Sequence, residues 1–194
     1  MNPPSRVPLS LITGLTGADK RAFILALLAA RPSGRQWALL DNDGGGSVHE
    51  AAEAQLAVSV VGGCACCTGQ VALRTGIVQL IRQSRPQRLI IAAAGVAEPA
   101  ALERTLQQEH LTRGIRVDHR LCVMPSQPLS GLPAQTRELL QRQMAAADYV
   151  VCKNPAAGQS AKRVTPALQF DEAIRLILAS PTPTSSASSR LIDS

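Results

Sequence analysis

The stretch "VPLSLITGLTGADKRAFILALLAA", residues 7–30, carries the strongest indication of the fold. Its apolar beginning, Val7–Ile12, predicts a buried strand. A glycine-containing turn, Gly14–Lys20, comes next, and residues 21–30 have the composition of a helix. A strand, a glycine turn and a helix in this order form the frame of a phosphate-binding loop. The stretch therefore predicts an α/β domain with an anion site at its first turn.

The rest of the chain repeats this alternation of strand and helix. Apolar runs predict five more strands, at 37–41, 56–61, 88–95, 118–124 and 148–153. Helical spacing or composition predicts four more helices, at 71–83, 98–110, 133–147 and 171–180. Strands without polar alternation are typical of a parallel sheet that is covered on both faces. We expect one three-layer α/β domain of the P-loop NTPase type over residues 1–179, with six or seven mainly parallel strands. The Ser/Thr/Pro-rich segment 180–194 predicts a disordered tail.

Composition narrows the class of protein. Hydrophobic residues make up 45% of the 194 residues, enough for a packed core, and the low aromatic content of 2% predicts that this core is aliphatic. The net charge of +6 raises nucleic acid as a partner, but the arginines are scattered and few aromatics are present to stack on bases. Nucleic-acid binding is therefore not favoured. No segment has the length of a membrane span, and the first residues lack the layout of a signal peptide. We expect a cytoplasmic protein.

The glycine turn matches a P-loop in part. That motif reads G-x-x-x-x-G-K-[ST]. The stretch "GLTGADKR" supplies Gly14 and Lys20 at matching positions, with Gly17 as a further glycine inside the turn. Asp19 stands in place of the second glycine, and Arg21 in place of the Ser or Thr. The turn predicts contact between Lys20 and phosphate. The alternative is a solvated lysine at an ordinary helix start.

Three cysteines follow the third predicted strand in "GGCACCTGQ": Cys64, Cys66 and Cys67. Thiolates are soft ligands that suit Zn²⁺ or Cu(I), and three of them leave one position of a tetrahedral metal open. Redox chemistry and a remnant without function are the alternatives. The total of five cysteines is odd, which argues against a disulfide framework. Cys122 and Cys152 lie in apolar strands and are predicted to be small core residues.

Residues 7–155 resemble the CobW family of P-loop GTPases, metallochaperones related to the GTPases that insert nickel into urease and hydrogenase. "GGCACCTGQ" carries the most specific part of the resemblance, the family's Cys-x-Cys-Cys. "DNDGG" stands where the family has Asn-Glu-x-Gly, and "SRPQRLIIAAAGVAEPAAL" is similar to its Arg-Pro-Asp stretch. The resemblance implies GTP and Mg²⁺, zinc or another soft divalent metal on the three cysteines, and a partner that is a metal-receiving client protein or a related GTPase. For a fourth metal ligand, water, Asp43, His49 and a residue of a partner remain open.

By the same resemblance, the nucleotide would contact Gly14, Gly17, Lys20, Arg21, Asp43 and Lys153. Several positions depart from the family. Arg21 replaces the hydroxyl expected to bind Mg²⁺, Ala92 replaces a glutamate, and Pro155 replaces the aspartate that reads guanine. We expect a CobW-type metal-binding protein whose GTP binding or hydrolysis is weak or lost. The alternative is a non-catalytic P-loop scaffold that binds or regulates a partner.

Overall fold

The computed structural model describes residues 6–43, 56–60, 69–153 and 166–181. Within these ranges the strands are Val7–Thr13 (β1), Trp37–Asp41 (β2), Leu56–Val60 (β3), Arg88–Ala92 (β4), Ile115–Val123 (β5), Tyr149–Cys152 (β6) and Ala167–Gln169 (β7). The α-helices are Ala18–Ala29 (α1), Gly69–Ser84 (α2), Pro99–Leu106 (α3), Glu109–Thr112 (α4), Ala134–Ala145 (α5) and Phe170–Ala179 (α6). A short 3-10 helix, Leu129–Gly131, precedes α5.

The described strands form one sheet in the order β3-β2-β4-β1-β5-β6-β7. Every neighbouring pair is parallel, which confirms the predicted α/β class with a parallel sheet. The first strand lies in the middle, between β4 and β5. Because all strands run the same way, the loops that follow β1, β2, β4, β5 and β6 meet at one edge of the sheet.

Helices cover both faces of the sheet, and the predicted three-layer arrangement is confirmed. The strands β1, β2 and β4 are buried at every residue. One face packs against aliphatic side chains of α2 and α3, and α5 packs beside them over β5 and β6. The other face packs against α1 and α6. Phe23 of α1 and Phe170 of α6 meet edge to face there, and they form the only aromatic ring pair among the described residues. The core is therefore mainly aliphatic.

Several elements differ from the sequence-based expectation, among them β5, which begins three residues earlier than expected, at Ile115. The helix predicted over 98–110 is two helices, because Gln108 has an extended backbone between α3 and α4 and turns Leu111 into the core. The helix α1 begins at Ala18, three residues earlier than expected, directly after Gly17 at its N-cap. The strand β7 has only three residues and no apolar run, so no pattern in the sequence predicts a strand there beside β6.

The last helix is fixed to the edge of the sheet where the strands begin. The backbone oxygen of Ser180 accepts a hydrogen bond from the buried Arg88 guanidinium at 3.1 Å, and the Ser180 hydroxyl lies 3.1 Å from Nε2 of His119. Residues 182–194, most of the predicted tail, lie outside the described part of the chain. Across the described ranges, no helix combines the length and the apolar character that crossing a membrane requires.

Candidate functional site

The turn between β1 and α1 is shaped by two glycines. Gly14 has a φ of 119°, and a Cβ there would lie 2.3 Å from the carbonyl oxygen of Val123, so a side chain is excluded for two reasons. Gly17 follows as the N-cap of α1, and its carbonyl accepts the backbone N–H of Arg21 at 3.3 Å. The strand, turn and helix predicted from residues 7–30 are therefore present, and the turn opens at the carboxyl edge of the sheet.

The side chain of Lys20 is folded into this turn. It is only 1% exposed, and its ammonium donates hydrogen bonds to the carbonyl oxygens of Gly14 at 2.9 Å and Ala93 at 2.7 Å. It also pairs with Oδ1 of Asp43 at 3.0 Å. Burial lowers the pKa of Lys20, and the charge of Asp43 opposes that shift. The predicted phosphate lysine is thus held by groups of the protein itself.

One oxygen of Asp43 joins the loops that follow β1, β2 and β4. Besides Lys20, this Oδ1 accepts a hydrogen bond from the hydroxyl of Thr16 at 2.7 Å and from the backbone N–H of Gly95 at 2.9 Å. Gly95 must be glycine, because a Cβ there would lie 2.2 Å from the backbone nitrogen of Thr16. No motif in the sequence marks Thr16 or Gly95 as site residues, since their partner Asp43 is distant from both in the chain.

The carboxylate of Asp19 is turned to the loop that follows β5. It accepts hydrogen bonds from the backbone N–H of Ser126 at 2.7 Å and from the Ser126 hydroxyl at 2.8 Å. Asp19 stands in the first turn of α1, where the helix dipole favours negative charge. A phosphate at this turn would meet a carboxylate that is already in place, which opposes anion binding.

The remaining predicted nucleotide residues are less enclosed. Arg21 is exposed on α1, and Lys153 is exposed just after β6 at the same edge of the sheet. Ala92, where the resemblance implies a glutamate, ends β4 in register with Ile12 and Asp41 and is 1% exposed. The structure brings Gly14, Gly17, Lys20 and Asp43 together. It gives no contact between this group and Lys153.

The chemistry of these groups does not fit a Mg²⁺ ion bound as the resemblance implies. Arg21, at the position of the expected hydroxyl, is a cation without a lone pair for a metal. Oδ1 of Asp43 is already shared among Lys20, Thr16 and Gly95. We therefore assign no role to Mg²⁺ at this site.

A cavity of about 650 Å³ lies beside the cluster. Its walls include Thr16, Lys20, Gly95 and Ser126, together with residues of α5. Volumes of this size are typical of small-molecule sites. The glycine turn therefore borders a space that could take a phosphate-bearing ligand.

The predicted metal ligands Cys64, Cys66 and Cys67, and the candidate His49, lie outside the described residues. Within the described ranges, no group of three or more His, Cys, Asp or Glu side chains could hold a metal ion. The strand before the cysteines, β3, ends at Val60, in register with Asp41 at the end of β2. The other two cysteines, at 122 and 152, are buried in the core, as predicted.

Comparison with known proteins gives a consistent result. Residues 8–166 match the nucleotide-binding domain of the CobW/HypB/UreG family. The chain is 31% identical over 146 residues to the zinc chaperone YeiR of Escherichia coli K12, covering 73% of this chain and 44% of YeiR. It is 27% identical over 132 residues to the zinc chaperone CobW of a Sinorhizobium species, covering 62% and 37%. This chain thus spans less than half the length of both relatives.

A solved structure shares the fold. The zinc-bound YjiA GTPase of E. coli superposes with a TM-score of 0.54 at 17% identity, covering 85% of this chain and 57% of that protein. At this level of identity the match supports the architecture of the sheet and its helices alone.

Proposed function

Because the chain belongs to the CobW/HypB/UreG family, we propose that it is a metallochaperone-like protein that carries zinc on Cys64, Cys66 and Cys67. We propose further that its nucleotide site is degenerate, so that GTP binds weakly and is hydrolysed slowly or not at all. Its partner would be a client protein that receives the metal, or a related GTPase. Thiolates that exchange metal must stay reduced, which favours a cytoplasmic location.

The observation that carries the proposal is the arrangement of loops at the carboxyl edge of the sheet. The strand β3 ends in register with β2, and Asp43 follows β2 by two residues and reaches Lys20 in the glycine turn. The cysteine triplet begins four residues after the end of β3. Strand β3 stands three strand spacings from β1, about 14 Å. The cysteine segment and the glycine turn therefore start close enough for metal binding and nucleotide binding to influence each other through the loop after β2.

The chemistry of three thiolates suits transfer better than storage. A structural zinc site is normally closed by four protein ligands, whereas three leave a position at which an incoming ligand of a client can enter. Each exchange replaces one thiolate by another without a change in the oxidation state of zinc. The names of both curated relatives, which are zinc chaperones, support zinc as the cargo.

The degenerate nucleotide site is supported by charges at the glycine turn. Asp19 puts a carboxylate in the first turn of α1, and the exposed Arg21 stands where a hydroxyl is expected. After Lys153 the chain continues with Asn154 and Pro155, so it lacks an aspartate to accept hydrogen bonds from guanine. Phosphoryl transfer depends on positioning and charge stabilisation, and each missing part slows it.

Zinc titration of the fully reduced protein against a chelating indicator, without oxygen, tests the proposal. We expect stoichiometric binding that is lost when Cys64, Cys66 and Cys67 are all replaced by Ser. As a matched control, replacing Cys122 and Cys152 by Ala removes the two core thiols and should leave the zinc stoichiometry unchanged. If the unaltered protein does not compete with the indicator, the proposal that it carries zinc is wrong. The alternative, a non-catalytic P-loop scaffold that binds or regulates a partner, then replaces it.

A further inference from the structure

We propose that Asp43 is a built-in competitor of nucleotide: its carboxylate occupies the position of a terminal phosphate, and a bound triphosphate must displace it from Lys20. The inference rests on the proposed nucleotide site. It concerns how that site is regulated, and it does not involve the cysteines.

Three donors surround the carboxylate of Asp43. An ammonium, a hydroxyl and a backbone N–H, from Lys20, Thr16 and Gly95, all point at the single oxygen Oδ1 within 2.7–3.0 Å. A lysine and backbone N–H groups are what a P-loop protein offers to a phosphate oxygen. The cluster is thus an oxyanion site, and a carboxylate of the protein fills it.

The ammonium of Lys20 has no N–H donor left for a further acceptor. An ammonium carries three N–H bonds, and Lys20 has three acceptors, the carbonyls of Gly14 and Ala93 and the carboxylate of Asp43. A phosphate can therefore gain this lysine only by replacing one of them. Because the lysine is buried, it needs a negative charge close by. Asp43 is the one acceptor of the three whose replacement by phosphate keeps that charge balance.

The position of Asp43 along the edge of the sheet relates it to the last phosphate of a nucleotide. By the family resemblance, the base lies near the loop after β6, on one side of β1. Asp43 follows β2, and Gly95 follows β4, on the opposite side of β1. A nucleotide with its phosphates at the glycine turn would then point its last phosphate at Asp43. The competition should therefore weaken triphosphates more than diphosphates.

The test compares the full chain with its Asp43→Asn variant, which keeps an oxygen for the donors but removes the charge. Affinities for GTP, GDP and inorganic triphosphate are measured by titration calorimetry at one salt concentration. We expect Asp43→Asn to bind GTP and inorganic triphosphate about tenfold more tightly or better, with a clearly smaller gain for GDP. Inorganic triphosphate makes the result independent of how guanine is read.

The matched control is Asp19→Asn, which removes an equal charge from the same turn without touching Lys20. It should improve di- and triphosphate binding by similar factors. Equal or weaker triphosphate binding by Asp43→Asn, an equal gain for GDP, or no detectable binding by either protein at millimolar ligand would each overturn the inference. Folding is checked first by Trp37 fluorescence, and Asp43→Ser provides the same comparison if the Asn variant does not fold. Zinc stoichiometry enters none of these measurements, so the metal proposal stands or fails separately.

Discussion

Replacing Gly95 by Ala should disrupt the contacts around Asp43 and lower the free energy of unfolding. A Cβ at this position would lie 2.2 Å from the backbone nitrogen of Thr16 and 2.3 Å from its hydroxyl oxygen. The hydroxyl can rotate away, but the backbone nitrogen cannot. The loop after β4 must therefore withdraw from the glycine turn, and the Gly95 N–H then leaves the carboxylate of Asp43.

The magnitude follows from two separate losses. Forcing a methyl group into a packed contact costs about 1–3 kcal/mol. Losing a hydrogen bond to a charged group costs roughly 1.5–3 kcal/mol. If the loop relaxes in part, the sum should lie near 3–4 kcal/mol of unfolding free energy, a large share of the ~5–15 kcal/mol of a typical domain.

Urea unfolding followed by fluorescence measures this loss directly. The chain has a single tryptophan, Trp37, and it is 1% exposed at the start of β2. Gly131→Ala is the matched control, because no heavy atom lies within 4 Å of the added Cβ. Its unfolding free energy should change by less than about 1 kcal/mol.

A loss below about 1 kcal/mol in Gly95→Ala, with an unchanged urea dependence, would contradict this prediction. It would mean that the loops after β1 and β4 are not held together through Gly95 and Thr16. An equal loss in Gly131→Ala would be as damaging, because the effect would then reflect glycine replacement in general.

Two further predictions concern charge. Changing Asp19 to Gly and Arg21 to Thr restores the P-loop pattern, so the affinity for GTP in the presence of Mg²⁺, measured by calorimetry, should rise about tenfold or more. An unchanged affinity would count against the proposal that the nucleotide site is degenerate. Burial and the nearby Arg88 lower the pKa of His119 from its ordinary 6.5, so the unfolded chain takes up a proton first as the pH falls. Unfolding free energy should therefore drop below pH 6.5, by at most about 1.4 kcal/mol per pH unit, and urea titrations at pH 7.5 and 5.5 should show a smaller drop in His119→Gln.

The fold could be read from the sequence because its signals are local. Apolar runs such as Val7–Ile12 and Trp37–Asp41 are buried in the sheet, and apolar residues at helical spacing predict α2. The signal failed where tertiary contacts decide. The three residues of β7, Ala167–Gln169, form a strand only because β6 pairs with them.

The candidate site shows the same limit. The P-loop pattern identified Gly14 and Lys20, and the resemblance added Asp43, which the structure brings together with them. The contact between Asp19 and Ser126 spans 107 residues in sequence. The spacing of a motif does not encode such a pair, which forms only because β1 and β5 lie side by side in the sheet.

The anchoring of α6 has a practical consequence for how the protein can be handled. Ser180 is held by Arg88, the first residue of β4, whereas the glycine turn and Asp43 lie beyond the strand ends. Five residues of β4 separate these two edges, roughly 16 Å. Attachment to a solid support through the residues after Pro181 would therefore hold the protein at the edge of the sheet where the strands begin. The loops at the carboxyl edge of the sheet, which include the glycine turn and Asp43, would point into solution.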